Sequence, residues 1–216
     1  MIIAIDGPGA AGKGTLARRL ARALDFAYLD TGAIYRAVAA RLLAAGADPG
    51  DSAAAVRVAA ALRPDDLNRP DLRDERVSQA ASRVAAIPAV REALLAMQRR
   101  FAHAPPGGKA GAVLDGRDIG TVVCPDAEVK LFVTAAQEAR AARRHKELLE
   151  RGEASIYARV VEEMRARDAR DSARAAAPLK PAPDAAVLDT SEMDAEAAFR
   201  AAMGIIESRR EDRTGA

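Results

Sequence analysis

Residues 1–20 read MIIAIDGPGAAGKGTLARRL, and this stretch is the strongest indication of the fold. MIIAID is a short, almost wholly apolar run, which is typical of a buried strand in a parallel sheet. GPGAAGKGT then nearly matches the phosphate-loop pattern G-x-x-x-x-G-K-[ST]. The residues that follow place Leu16, Leu20, Ala23 and Leu24 at helical spacing. Because a strand precedes the glycines and a helix follows them, the sequence predicts a phosphate loop rather than a chance run of glycines.

The predicted loop has a definite chemistry. Backbone N–H groups and the positive end of the helix dipole point at one spot, which favours a phosphate there. Three glycines, at positions 7, 9 and 12, permit the positive φ angles and close approach that such a loop needs. Lys13 can bridge the β- and γ-phosphates of ATP. The predicted ATP-binding residues are Gly7, Pro8, Gly9, Ala10, Ala11, Gly12, Lys13, Gly14 and Thr15.

One position departs from the phosphate-loop pattern. The residue after the lysine is usually Ser or Thr, whose hydroxyl holds Mg²⁺, but here it is Gly14 and the hydroxyl comes at Thr15. Mg²⁺ readily keeps several waters. We therefore expect no direct protein ligand for the metal, which phosphate oxygens and water would hold near Thr15, with a nearby carboxylate as a further candidate.

Composition excludes several classes of protein. Half of the 216 residues are apolar and 30% are charged, as in an ordinary globular domain. The net charge of +2 and the 3% aromatic content argue against a nucleic-acid binder. The single cysteine, Cys124, excludes an intramolecular disulfide and a cysteine metal cluster, and it is expected to be a small buried side chain. No apolar run is long enough for a membrane span, and no signal peptide is apparent, so we expect a cytoplasmic protein.

Strand-like and helical segments alternate along the chain. MIIAID, FAYLD, AVLDG, VKLFVT and AVLDT read as strands, with helices between them. This order predicts an α/β fold with about five parallel strands. The last nine residues, 208–216, are predicted to be a frayed tail.

Further segments narrow the class. GxxxxGKGT resembles the loop of nucleoside monophosphate kinases, and four segments are similar to signatures of the bacterial cytidylate kinase family: DTGAIYR (30–36), ASRVAAIPAVREALL (81–95), LDGRDIGTVVCPDAEVKLFV (114–133) and RDARDSARAAAPL (167–179). VLDTSEM (187–193) also fits. Adenylate kinases share the loop but carry D-G-F-P-R where this chain has D-G-R-D. The resemblance covers nearly the whole chain, in the family's order.

The resemblance implies a three-layer phosphate-loop kinase fold in a single domain. The core would comprise residues 1–31, 110–150 and 180–208, with a helical acceptor lobe at about 32–109 and a helical lid at about 151–179. In longer members of the family the acceptor lobe carries a small β-sheet insert. Here LRPDDLNRPDLRDERV (62–77) has no alternating apolar pattern, so we expect a smaller lobe without that sheet.

The resemblance also implies an activity, namely transfer of phosphate from ATP with Mg²⁺ to CMP and dCMP in pyrimidine nucleotide metabolism, by a monomer. The acceptor oxygen is already ionised near neutral pH, so no general base is needed. Catalysis would come from positioning and charge neutralisation, with Lys13, Arg167 and Arg174 as the catalytic residues.

Several residues would bind the acceptor nucleotide. Cytosine presents an amino donor at N4 and acceptors at N3 and O2, which an Asp and an Arg match. By resemblance Asp118 and Arg91 supply these groups, with Ser82 beside them. Arg36 and Arg117 would contact phosphate, the Thr31 hydroxyl would touch the bound monophosphate nucleotide, and Asp171 would contact the ribose.

The spacing of Arg167, Arg170 and Arg174 predicts three like charges on one helix face, which repel unless an anion meets them. The family reading is a lid that closes over the phosphoryl group and excludes water. The alternative is a salt-bridged surface helix. Three further arginines, Arg140, Arg143 and Arg144, are predicted to flank ATP or to form a solvated face.

Alternatives stay open for single residues and for the whole chain. Arg36 and Arg91 also fit ordinary helix charges, Asp118 fits a carboxylate paired with Arg117, and Tyr35 fits a packing residue. UMP or AMP could be the acceptor. A phosphate-loop switch protein without phosphotransfer is a different class, for which LDG (114–116) could serve as a degenerate Walker B motif, although the lid arginines would then have no role.

Overall fold

The structure is a computed structural model and describes residues 1–214. The predicted start of the fold is confirmed, because β1 (Ile2–Asp6) is buried at every residue and leads through the loop into α1 (Lys13–Leu24). The other strands are β2 (Ala27–Asp30), β3 (Ala112–Gly116), β4 (Val129–Thr134) and β5 (Ala186–Asp189). The helices that follow α1 are α2 (Thr31–Ala44), α3 (Ser52–Ala60), α4 (Glu75–Val84), α5 (Pro88–His103), α6 (Gln137–Glu150), α7 (Tyr157–Ser172) and α8 (Ala195–Thr214).

The five strands form one parallel sheet in the order β2-β3-β1-β4-β5. β1 is central, and Ile3 is in register with Val113 on one side and Val129 on the other. In such sheets ligands bind beyond the carboxyl ends of the strands, where the strand order changes direction. The loops after β1, β2 and β3 therefore define the place to look for a site. The α/β class and the strand count agree with the sequence prediction.

Side chains of β1 alternate between two cores. Ile2 and Ala4 face a core shared with the helices of the acceptor lobe, in which Val38 and Leu94 are buried. Ile3 and Ile5 face the opposite core, which α1 and α8 complete. Burial of these apolar side chains on both faces of the sheet fixes the sheet rigidly between helices. A separate small cluster around Leu148 and Met164 joins α6 to α7.

The acceptor lobe contains the connection whose sequence predicted no strands. Two short 3₁₀ turns, Pro64–Asn68 and Pro70–Arg73, carry the chain from α3 to α4. Asp66 stabilises the first by accepting the backbone N–H of Arg63 at 2.8 Å. The connection is thus turn-built, without strands between residues 61 and 74.

The C-terminal end differs from the prediction. α8 continues to Thr214, so a frayed tail from residue 208 is wrong for 208–214, and residues 215–216 lie outside the described part. None of the helices within residues 1–214 combines the length and apolar character needed to cross a membrane.

Candidate active site

A cleft of about 560 Å³ opens at the carboxyl ends of β1, β2 and β3. Its walls combine the phosphate loop with side chains from the acceptor lobe and the lid. Fifteen of the predicted site residues line this cleft: Gly9, Ala10, Gly12, Lys13, Gly14, Thr15, Thr31, Arg36, Ser82, Arg91, Arg117, Asp118, Arg167, Asp171 and Arg174. Gly7, Pro8 and Ala11 complete the loop beneath.

The phosphate loop takes its shape from residues with positive φ. Gly7 has φ +146° and Gly12 +88°, as predicted, but the third such residue is Ala10 at +57° rather than Gly9. A Cβ on Gly7 would lie 1.9 Å from the carbonyl oxygen of Val133, so the loop passes against β4 with no room for a side chain. Glycine is required at this position for both reasons.

The start of α1 is free to bind an anion. Gly12 is the N-cap residue and offers no side chain to the first turn. The orphan N–H groups of that turn and the helix dipole therefore face the cleft. Burial, reinforced by the charge of Arg117, lowers the pKa of the Lys13 ammonium, whose Nζ donates to the Pro8 carbonyl at 2.7 Å. A polyphosphate at the loop would stabilise the charged form of Lys13.

Arg140 braces the phosphate loop from behind. Its Nε donates to the Ala135 carbonyl at 3.0 Å, and its Nη1 contacts the Gly9 carbonyl at 3.3 Å and the Asp168 carboxylate at 2.8 Å. Arg140 is buried, so the solvated-face alternative is wrong for this side chain, and it is not among the residues that line the cleft.

The other two arginines of α6 do line the cleft. Arg143 donates to the Thr190 carbonyl at 2.5 Å, which ties α6 to the turn after β5. Arg144 pairs with Glu75 on α4 and with Glu147. The solvated-face alternative is therefore wrong for both side chains.

The ends of β2 and β3 place two carboxylates beside the loop. Asp30 caps α2 by accepting the Ala33 N–H at 3.0 Å, and its other oxygen accepts from Arg36 at 2.7 Å. The Thr31 hydroxyl donates to the Asp115 carbonyl at 2.8 Å. Arg36 is thus held over the cleft by a specific partner and is not a freely solvated helix charge.

Asp115 was not among the predicted site residues. The LDG motif (114–116), which resembles a degenerate Walker B motif, was the signal in the sequence that could have indicated it. It is buried and accepts from the Tyr28 hydroxyl at 2.6 Å. Burial and the nearby charge of Asp30 raise the pKa of its carboxyl. Its Oδ2 lies 3.6 Å from where a Cβ on Gly14 would stand. Glycine at this position therefore leaves open the space between the loop and a carboxylate.

Asp6, at the end of β1, was also missed. Its two oxygens accept the consecutive N–H groups of Ile119 and Gly120 at 2.7 and 2.8 Å. These donors begin the π-helical turn Ile119–Val123 directly after Asp118. Burial raises the pKa of Asp6 to about 6 in spite of the two hydrogen bonds. Asp6 thereby fixes the D-G-R-D loop to the strand that carries the phosphate loop.

Asp118 and Arg91 form a buried ion pair in the cleft. The alternatives that pair Asp118 with Arg117, or that make Arg91 an ordinary helix charge, are wrong. The Arg91 guanidinium lies 5.4 Å from the ring centroid of Tyr35, which is buried and lines the same wall. Tyr35 therefore helps to orient Arg91, a contact between α2 and α5 that the sequence did not reveal.

Asp171 is the centre of an arginine cluster. Arg117 donates to its Oδ2 at 3.0 Å, Arg174 pairs with Oδ1, and Arg167 lies 4.0 Å away. Burial alone would raise the pKa of Asp171, but the three positive charges outweigh it and hold the pKa below its ordinary value.

The predicted single helix face is only partly correct. α7 ends at Ser172, so Arg174 lies beyond the helix and reaches Asp171 from the following turn. Arg170 does not join the cluster. It contacts α4 instead, with its Nη2 3.3 Å from Gln79 Oε1.

Unpartnered donors mark where an anion would sit. Arg36, Arg167 and Arg174 each have a buried Nε without a hydrogen-bond partner among the described residues. A buried donor left unpaired is costly. The three side chains reach the cleft from the acceptor lobe and from both ends of the arginine cluster. The three arginines therefore bring unsatisfied donors to the walls of the same cleft that the phosphate loop lines.

The parallel sheet, the phosphate loop and the arginine-lined cleft define a class, the phosphate-loop α/β nucleotide-binding proteins. The family model described as cytidylate kinase matches residues 3–208, and the chain belongs to that family.

Curated relatives agree over the full length. The chain is 67% identical to a cytidylate kinase of Paramagnetospirillum magneticum over 97% of this chain and 99% of that protein. It is 60% identical to a cytidylate kinase of Methylocella silvestris over 96% and 94% of the two chains. An uncharacterized protein from Eubacterium ventriosum shares the fold at 14% identity, with a TM-score of 0.53 over 96% of this chain and 98% of the other.

Proposed function

We propose that this protein transfers the γ-phosphoryl group of ATP to CMP, and also to dCMP, giving ADP with CDP or dCDP. An acceptor phosphate oxygen forms the new bond to the γ-phosphorus. The bond to the β–γ bridging oxygen breaks, and ADP leaves with that electron pair. The observation that carries the proposal is the set of three unpaired Nε donors, on Arg36, Arg167 and Arg174, around the cleft that the phosphate loop opens into.

The donor would bind along the phosphate loop. The first-turn N–H groups of α1 would hold its phosphates, and Lys13 would exchange its contact with the Pro8 carbonyl for phosphate oxygens. Such donors need no reorganisation as negative charge shifts during transfer, which is how preorganised dipoles accelerate a reaction.

Acceptor binding would replace internal ion pairs. The acceptor phosphate would compete with Asp30 for Arg36 and with Asp171 for Arg117 and Arg174. Arg167 and Arg174 would then share the transferring group between donor and acceptor. Burial lowers the pKa of Arg167 to about 10, with the Arg117 charge adding to the effect, so the guanidinium remains charged at neutral pH.

Base selection would rest on Asp118 and Arg91. The carboxylate can accept from N4 of cytosine, while the guanidinium donates to N3 or O2. Uracil presents an acceptor in place of N4 and would face Asp118 with repulsion. Ser82 lines the same wall. Asp171, at the ribose, would contact its hydroxyl groups, and closure of the lid over them would exclude water.

Mg²⁺ would neutralise phosphate charge in this reaction. No group of three or more His, Cys, Asp or Glu side chains that could hold a metal ion exists within residues 1–214. Phosphate oxygens and water would supply most of the ligands of Mg²⁺. The chain does offer Asp115, whose carboxylate faces the gap above Gly14. Asp115 would hold a water of the metal's coordination shell, near Thr15. By resemblance the enzyme acts as a monomer in the cytoplasm.

The direct test is a coupled assay of ADP formation with CMP, dCMP, UMP, AMP and GMP in turn. We expect stimulation by CMP and dCMP, weaker stimulation by UMP and none by the purine nucleotides. Failure of CMP to stimulate ADP formation overturns the proposal. Stronger stimulation by UMP or AMP assigns the site to another acceptor.

A variant tests the base assignment. Asp118→Ala should raise the KM for CMP by about tenfold or more, because one charge-assisted hydrogen bond contributes roughly 1.5–3 kcal/mol, and should change the KM for ATP little. The matched control is Asp65→Ala, which removes an exposed carboxylate from the acceptor lobe. If Asp118→Ala keeps the wild-type preference for CMP over UMP, the base assignment is wrong.

A further inference from the structure

One face of α4 is polar and turned toward the lid. Glu75, Gln79 and Ser82 are spaced i, i+4 and i+7, which places them along one side of the helix. Gln79 donates to Glu75 at 2.7 Å. The three residues form a continuous stripe, named here the α4 stripe, that runs from the start of the helix to the predicted base site.

Two arginines from the other side of the cleft meet this stripe. Arg144 of α6 pairs with Glu75. Arg170 of α7 spans the other two residues, with its Nη2 3.3 Å from Gln79 Oε1 and its Nε 3.3 Å from Ser82 Oγ. A chain of polar contacts therefore connects the lid to the acceptor lobe.

Arg170 has no part in the phosphate chemistry described above. Its neighbours in the arginine series, Arg167 and Arg174, converge on Asp171, whereas Arg170 turns away to α4. It sits directly before Asp171 in the chain, and its far end touches Ser82. The same side chain is thus fixed at one end beside the proposed ribose contact and at the other beside the proposed base contact.

We propose that Arg170 is a positioning residue that docks the lid on the α4 stripe and thereby couples occupancy of the two nucleotide sites; this rests on the proposed function. An acceptor that holds Ser82 and the helix around it in place presents the stripe to Arg170. Docking of Arg170 then brings the Arg167 and Arg174 end of the lid over the donor. By linkage, a bound donor favours acceptor binding by the same factor.

The coupling is measured with a non-hydrolysable ATP analogue, titrated with and without saturating CMP. For the wild type we expect CMP to tighten analogue binding. In Arg170→Ala this enhancement should fall by about tenfold, because both hydrogen bonds to the α4 stripe are lost. Affinity for the analogue alone should stay within about twofold of wild type, because Arg170 contacts no donor-binding residue among those described.

Arg165→Ala is the matched control, since it removes an exposed arginine from the same helix. Gln79→Ala removes the partner of Arg170 on α4, and it is the variant to measure if Arg170→Ala fails to fold. It should lower the enhancement too, and the double variant should lose no more than Arg170→Ala alone.

The proposal is overturned if CMP gives no enhancement in the wild type, if both Arg170→Ala and Gln79→Ala keep it, or if Arg165→Ala loses as much. These outcomes are distinct from failure of the proposed function. If the wild type forms ADP with CMP, and Arg170→Ala shows the same enhancement of analogue binding by CMP as the wild type, only the docking role is refuted. A chain that never phosphorylates CMP refutes the function itself.

Discussion

The donor and acceptor sides of the cleft are built from different parts of the chain. The donor side is mainly backbone, namely a loop shaped by positive φ angles and the uncapped first turn of α1. The acceptor side and the lid are mainly side chains, with arginines from α2, α5 and α7 paired to carboxylates. Backbone donors are fixed by the fold, whereas paired arginines can change partners.

This difference makes the site rigid where the donor is proposed to bind and adaptable where the acceptor is proposed to bind. Each paired arginine of the acceptor side is already charged and oriented before a nucleotide arrives, because Asp30, Asp118 or Asp171 holds it. An incoming phosphate would replace Asp30 or Asp171 instead of meeting bare, mutually repelling cations. The donor side contains no such exchange apart from Lys13.

The largest expected effect on activity comes from a substitution that distorts the backbone of the phosphate loop on the donor side. Gly7→Ala forces a side chain into a conformation with φ +146° and within 1.9 Å of the Val133 oxygen. The loop must then leave its phosphate-binding shape, because backbone atoms of β4 cannot move aside. Phosphotransfer should fall by about a thousandfold or more, on the scale of losing a whole set of preorganised donors. The measurement is kcat/KM for ATP at saturating CMP.

Gly204→Ala provides the comparison for that variant. Gly204 lies in α8, where an added Cβ meets nothing within 4 Å. Its activity should equal that of wild type, and its stability should rise by about 0.5–1 kcal/mol from better helix propensity. A Gly7→Ala enzyme with normal kcat/KM would show that the donor side is not built from a fixed backbone.

The same division decides what the sequence could predict. The phosphate loop is formed by consecutive residues. Its nine residues and the flanking strand and helix could therefore be predicted from one stretch of sequence. The roles of Asp6, Asp115 and Arg140 depend on contacts between segments that are far apart in the chain. The spacing of residues along the sequence does not predict such contacts.

Errors in the prediction arose at the level of single dihedral angles and helix ends. Positive φ falls at Ala10 and not at Gly9, a choice between neighbouring residues that the glycine pattern alone does not determine. Arg174 stands past the end of α7, where periodicity no longer applies. Most of the predicted site residues nevertheless line one cleft, since phosphate chemistry demands arginines and the family motifs supplied their positions.

The next largest effect concerns a lid arginine, and it tests whether charge alone or guanidinium geometry matters there. Arg167→Lys keeps the positive charge but loses the buried Nε and the planar fork. If acceptor-side catalysis depends on guanidinium geometry, kcat should fall by about a hundredfold, toward the lower range for loss of a charge-stabilising arginine. Arg165→Lys, on the exposed side of the same helix, should leave kcat unchanged. Equal kcat in wild type and Arg167→Lys would mean that charge alone suffices there.

The smallest effect is a pH dependence that separates two buried carboxylates. Asp6 is held by backbone N–H groups, and burial raises its pKa to about 6 from an ordinary value of 3.8. The unfolded chain therefore loses this proton at lower pH than the native protein does. Between about pH 4 and pH 6 the free energy of unfolding contributed by Asp6 decreases as pH rises, by about 2–3 kcal/mol in total. Asp171, paired with arginines, has a lowered pKa, so its contribution is present above its ordinary pKa and is lost as pH falls below about 4.

Urea unfolding of wild type, Asp6→Asn and Asp171→Asn at a series of pH values measures both trends. The stability of wild type relative to Asp6→Asn should decline from pH 4 to pH 7, while its stability relative to Asp171→Asn should decline only toward acid. Opposite slopes follow because backbone dipoles only partly offset the burial of Asp6, whereas three guanidinium groups more than offset the burial of Asp171. Parallel slopes for the two variants would show that both carboxylates are held by the same kind of interaction, and the contrast between a backbone-built and a charge-built half of the site would not stand.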